Sequence, residues 1–162
     1  MRASLPQGVI ESMVKFKEVG DYGNPEYQKA MQEFYNRYFC RLEEWPKELL
    51  YSLEHASQQV SMTMNGPNDF TIVGGLMYWN VSDQLAKIKV PTLVTCGKYD
   101  EVSPKEAVRI HRGIKGSKLI VFENSSHLAM WEEHEKYIRV LGTFLATIKR
   151  HKSSHSRVKR NE

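Results

Sequence analysis

The sequence predicts an α/β fold in which a mainly helical region precedes the last β-α-β-α of a mostly parallel sheet. Three observations carry this. Residues 90–96 (VPTLVTC) and 118–122 (KLIVF) are short apolar runs, rich in β-branched residues and without polar alternation. Such runs suit strands covered on both faces. Residues 104–113 and about 131–149 follow them with helical character, so strand and helix alternate. Everything before residue 65 shows helical spacing and no comparable strand.

The elements can be taken in order. Residues 26–43 place Tyr27, Met31, Phe34, Tyr38 and Leu42 on one helical face. Asn24 and Pro25 stand before it as a cap and a first-turn proline. Pro46 opens a second helix with Leu49, Leu50 and Leu53 on one side, and a short third helix runs over about 57–64. Asn65-Gly66-Pro67-Asn68 then breaks the chain with strong turn chemistry. Met62 and Met64 read as packing residues, and Tyr78 and Trp79 as core or as the wall of an apolar pocket. After the strand at 90–96, Pro104 starts a helix over 104–113. After the strand at 118–122, Ile138, Leu141, Phe144, Leu145 and Ile148 form the apolar stripe of the last helix. Two strands make a thin sheet, which needs further strands to complete it.

Charge is uneven. Residues 149–162 carry six Lys/Arg and one Glu, a net +5, and leave −1 on the rest of a chain whose total is +4. The basic excess is therefore a tail, read as a solvated, disordered end. No aromatic residue is interleaved there to stack on bases, so neither nucleic acid nor a membrane is expected as a partner. His151 and His155 lie in that tail without a carboxylate or thiol beside them, a poor metal site. No run approaches 18 apolar residues, and the first residues lack the uninterrupted apolar stretch of a signal peptide. The expected location is the cytoplasm. Cys40 and Cys96 are too few for a disulfide framework, and Cys96, ending an apolar strand, reads as a buried thiol. The domain reading is a helical region over 1–66, a sheet region over 67–148 and the tail over 149–162.

Two motifs carry chemistry: CGKYDEVSP at 96–104 and ENSSHLAMWEE at 123–133. Each follows a strand. In an open α/β sheet, sites gather at the carboxyl ends of the strands. Asp100 and His127 would then meet at one end of the sheet, the acid orienting the imidazole and the imidazole acting as base. Taken alone, Asp100 also reads as a turn or capping residue before the helix at Pro104, and His127 as a loop histidine capping the last helix. Their matching positions favour the functional reading. An acid followed by a histidine is the order of the Ser-Asp-His triad in α/β-hydrolases, yet no G-x-S-x-G occurs in these 162 residues. The sequence thus reads as the second half of such an enzyme, a partial α/β-hydrolase fold.

Three stretches carry a closer resemblance: NPEYQKAMQEFY, MNGPNDFTIVGGLMYWNVSDQLAKIKVPTLVTCGKYDEVSP and FENSSHLAMWEEHEKY. Over residues 5–145 the chain resembles the C-terminal part of the proline iminopeptidases, serine aminopeptidases that release N-terminal proline. The resemblance implies Asp100 as triad acid, His127 as triad base and the helical region as a cap over the site. It implies that acidic residues hold the free α-amino group of a peptide substrate, here Asp69 and Glu101. At Asp69 the family usually has glutamate, so this carboxylate reaches one methylene less far. Ser61 stands where the family often has an aromatic residue. The family needs neither cofactor nor metal. Its nucleophile and its glycine-rich oxyanion loop lie in the half that these residues do not match, so the chain alone is expected to be inactive, with a serine-bearing N-terminal half as a partner. Ser125 and Ser126 stand beside His127 but not in a nucleophile elbow, and are not substitutes for it. The alternative is a non-catalytic interaction module derived from the same fold.

Overall fold

The structure is a computed structural model that describes residues 5–68 and 71–158, with side-chain surroundings up to residue 148. The chain divides into two compact units, Met1–Asp83 and Gln84–Glu162.

The first unit is helical. Helix α1 spans Gln7–Val19, α2 Pro25–Tyr38, α3 Lys47–Glu54 and α4 Gln58–Met64. The sequence pattern did not single out α1. It ends at Gly20, whose φ of 70° is the left-handed conformation that glycine tolerates at a helix terminus. At α2 the expected cap forms: the Asn24 side chain accepts the Glu26 N–H at 3.0 Å, with Pro25 in the first turn. α1 and α2 share the core of this unit. Leu5, Met13, Phe16, Tyr27, Ala30, Met31, Phe34 and Tyr38 are all buried together. Phe34 packs against Tyr38 with ring centroids 5.2 Å apart. α3 and α4 contribute little to burial: only Leu49 is buried in α3 and no residue in α4. Met62, Met64, Tyr78 and Trp79 are exposed, which corrects their reading as core.

The turn after α4 closes on itself. The Asn65 carbonyl accepts from the N–H groups of Val73 and Gly74 at 2.8 and 2.9 Å. Gly66, at φ 120°, leaves room where a Cβ would meet the Thr71 carbonyl oxygen.

The second unit holds β1 (Leu93–Gly97), α5 (Pro104–Gly113), β2 (Lys118–Phe122), α6 (Ala129–Glu132) and α7 (His134–Val158). β1 and β2 are parallel, in register from Leu93↔Lys118 to Gly97↔Phe122. The strand expected from residue 90 begins at Leu93 instead. Pro91 has no N–H to give a ladder, and the Thr92 hydroxyl turns back to the Val90 carbonyl at 2.9 Å. α5 and β2 take the expected residues. Ser103 caps α5, accepting the Lys105 N–H at 3.3 Å.

Among the described residues the sheet has two strands. Its aliphatic side chains are incompletely covered: Leu93, Val94, Leu119, Ile120 and Val121 are half-buried and Thr95 is exposed. Burial becomes complete only at the carboxyl ends, at Cys96, Gly97 and Phe122. Phe122 packs against Tyr137 of α7 at 5.6 Å between ring centroids, with the Lys136 ammonium 5.1 Å from its own centroid.

The last helix differs from expectation at both ends. It is broken near its start, where Glu133 (φ −125°, ψ 49°) separates α6 from α7. At the other end the helix expected to stop near Lys149 runs on to Val158. Residues 149–158 contain no glycine or proline to stop it. No helix among the described residues is long and apolar enough to cross a membrane.

Candidate active site

The carboxyl ends of β1 and β2 lead into two loops, residues 98–103 and 123–128. Parallel pairing brings both loops out at one end of the sheet. The ladder continues into them, with the Lys98 N–H bonded to the Phe122 carbonyl at 2.9 Å and the Tyr99 N–H to the Ser125 carbonyl at 3.0 Å. Gly97 makes this closeness possible. A Cβ there would collide with the backbone carbonyl oxygens of Ser125 and Ser126.

Asp100 is buried, with 6% of its surface exposed. Its Oδ1 accepts the Val102 N–H at 2.8 Å and lies 3.0 Å from His127 Nδ1. An ionised carboxylate offers only acceptors, so this contact places the proton of a neutral imidazole on Nδ1 and leaves Nε2 with its lone pair. The His127 side chain is 40% exposed against 7% for that of Asp100. A sheltered acid thus steadies an accessible base, the arrangement that general-base catalysis requires. Cys96 is buried close by. Burial, and next the charge of Asp100, push its thiol up and keep it protonated and unreactive.

Glu101 sits half-buried directly after the acid, in the same loop. Asp69 lies outside the described residues, while Asn68 and Thr71 are described. Asn68 donates to the hydroxyl of Tyr27 at 2.7 Å, and Asn68 and Thr71 bridge one another. Tyr27, on α2, has no exposed surface. Burial pushes its hydroxyl up, against the opposing effects of Thr71 and Asn68. The structure therefore brings Asp100, Glu101 and His127 to one strand end, and anchors the Asn68–Thr71 turn within the other unit.

Sequence reasoning missed the support around the base. Ser125 and Ser126 have no exposed surface, and their hydroxyls donate to Glu133 and Glu132 at 2.7 and 2.6 Å. The helix predicted from about residue 131 takes in Glu132 and says nothing of its carboxylate. The available signal was two buried-type serines before the histidine and two consecutive glutamates after it. Helical spacing places Tyr27 as one more apolar position on α2, because it registers the ring and not the hydroxyl.

A two-stranded parallel end carrying an acid and a histidine in contact, with a helical region ahead of it in the chain, is the C-terminal part of an α/β-hydrolase. Comparison with solved structures agrees: the crystal structure of VinJ matches with a TM-score of 0.85 at 35% identity, over 90% of this chain and 50% of that one. The crystal structure of proline iminopeptidase from Mycobacterium smegmatis matches with a TM-score of 0.81 at 34% identity, again over 90% and 50%. No protein-family model matches the chain. Among curated proteins, the proline iminopeptidase of Thermoplasma volcanium is 48% identical over 142 residues, covering 87% of this chain and 48% of the relative. That of Saccharolobus solfataricus is 46% identical over 142 residues, covering 87% and 46%. The chain belongs to the proline iminopeptidase family and corresponds to its C-terminal part. It spans about half the length of the curated relatives it matches.

Proposed function

We propose that this chain supplies the acid and the base of a serine aminopeptidase that releases N-terminal proline from peptides. The observation that carries the reading is the 3.0 Å contact between Asp100 Oδ1 and His127 Nδ1, made by a histidine whose side chain is 40% exposed. In turnover, His127 Nε2 takes the proton of a serine hydroxyl as the oxygen attacks the prolyl carbonyl. The same nitrogen then gives the proton to the departing amine. Asp100 keeps the imidazole in the correct tautomer and stabilises its cation. The serine and the oxyanion donors come from a glycine-rich half of the enzyme, on the same or a separate chain. Without them the residues described here do not turn over substrate.

Glu101 and Asp69 hold the substrate's free ammonium group. Their support is the family pattern and, for Glu101, its position directly after the acid. A carboxylate suits an ammonium leaving water for a partly dry site, because a buried charge needs a counter-charge. Residues 1–66 serve as the helical cap and 67–148 as the end of the catalytic core. The reaction uses no metal or cofactor and takes place in the cytoplasm.

The experiment is reconstitution. The chain is mixed with the separately expressed N-terminal half of the Thermoplasma volcanium relative and assayed on a prolyl arylamide. Turnover by the mixture, none by either part, and loss of turnover in His127→Ala are expected. A stable complex of the two parts that never turns over the arylamide would sink the reading.

A second reading rests on the half-covered aliphatic residues of β1 and β2. An interaction module would add a strand from another protein at this sheet. It predicts strand-dependent complex formation that Asp100→Asn and His127→Ala leave untouched.

A further inference from the structure

We infer that Glu132 and Glu133 are positioning residues for the Asp100–His127 pair, forming a two-carboxylate clamp on the three residues directly ahead of the base. The inference rests on the reading of that pair as acid and base, and concerns what keeps it aligned.

The clamp is complete in its bonding. Glu132 uses both oxygens on one residue: Oε2 accepts the Ser126 N–H and Oε1 the Ser126 hydroxyl, each at 2.6 Å. Glu133 Oε2 accepts the Asn124 N–H at 3.0 Å and the Ser125 hydroxyl at 2.7 Å, while its Oε1 pairs with Lys136 at 3.0 Å. Asn124, Ser125 and Ser126 are therefore each held from the helix side. From the strand side, the Tyr99 N–H holds the Ser125 carbonyl, and Gly97 lets the two loops touch. Bonds to charged acceptors are stronger than neutral ones, and two of the donors, the Ser125 and Ser126 hydroxyls, belong to residues with no exposed surface.

Two consecutive residues of an unbroken helix point about 100° apart, because 3.6 residues make a turn. Both carboxylates nevertheless reach one loop. The break at Glu133 between α6 and α7 permits this, which gives a physical reason for an interruption that costs helix continuity. Ahead of His127 the ladder ends at the Tyr99–Ser125 bond, and Asn124 and Ser126 belong to no helix or strand. A loop free to shift by an ångström would lose the 3.0 Å contact to Asp100 and with it the Nδ1–H tautomer.

The test uses the full chain with ¹⁵N-labelled histidine. At a pH where His127 is neutral, its nitrogen shifts report which nitrogen carries the proton. The unsubstituted chain is expected to show Nδ1–H, and Asp100→Ala to lose that preference. Glu132→Gln with Glu133→Gln should also lose it, while amide exchange at Asn124 and Ser126 quickens by roughly tenfold or more, as for the loss of a charged hydrogen bond. Ser126→Ala, which removes one bond and leaves the packing, should give an intermediate result and carries the test if the double variant does not fold. An unchanged Nδ1–H preference in folded Ser126→Ala and in the folded double variant overturns the clamp and leaves the pair standing. Absence of that preference in the unsubstituted chain overturns the pair, and the clamp with it.

Discussion

The two units are closed in different ways. In the first, α1 and α2 enclose an apolar core in which Met13 and Tyr27 are almost wholly buried. In the second, the sheet's aliphatic side chains are only half-buried, while the polar residues Asp100, Ser125 and Ser126 at the strand ends are buried. The first unit is held mainly by removal of apolar surface from water, and Asn68 is attached to that core through the Tyr27 hydroxyl. In the second, the strand ends are the most fully buried part of the sheet, held by carboxylates, backbone N–H groups and a glycine contact. Apolar burial is tolerant of shape, whereas a hydrogen-bonded junction is not. Substitutions in the two units should differ accordingly.

The largest effect is expected at Phe34, buried in the helical core against Tyr38. Phe34→Ala should lower stability by about 3–5 kcal/mol, the cost of a large cavity, as read by urea unfolding. Native amide exchange should show the α1–α2 protection collapsing. Gly97→Ala comes next. Its Cβ meets backbone rather than a movable side chain, so the loops must part, at about 2–3 kcal/mol. Here the Tyr99 amide should lose protection while those of α2 keep theirs. Equal loss in both places would remove the contrast between the units.

Tyr27→Phe sharpens the comparison within the first unit. It keeps the ring and leaves Asn68 without the acceptor it uses at 2.7 Å. A loss of about 1–2 kcal/mol is expected, with faster exchange at the Thr71 amide. The smallest effect is that of acid on Glu133. Burial raises its pKa, but the Ser125 hydroxyl, Lys136 and the Asn124 N–H outweigh burial and hold the group below its ordinary 4.5. The folded state then binds fewer protons than the unfolded one. Its contribution is present above 4.5 and is lost as pH falls through the depressed value. Glu133→Gln should flatten this part of the stability profile below pH 4.5.

Much of this was legible in the sequence because it follows local rules. Pro104, the Ser103 cap and the apolar run at 118–122 each act over a few residues, so α5 and β2 appear where the pattern places them. Asp100 and His127 were legible because parallel strands force their loops to one end. What was not legible depends on contacts distant in sequence or on groups the hydrophobic pattern ignores. The clamp joins Ser126 to Glu132 and Ser125 to Glu133 across a helix break that no breaker residue announces. The Tyr27 hydroxyl meets Asn68 from 41 positions away. Met62, Met64, Tyr78 and Trp79 are apolar, but pattern alone does not say whether anything covers them, and they are exposed.

The most direct test of the account is a single-chain hybrid in which this sequence replaces the matching half of the Thermoplasma volcanium proline iminopeptidase. The account predicts release of proline from a prolyl arylamide, with kcat falling by about 10⁴-fold in Asp100→Asn, the scale expected when a triad acid no longer fixes its histidine. A folded hybrid that turns over equally well with Asp100→Asn or His127→Ala, or not at all without them, would contradict it.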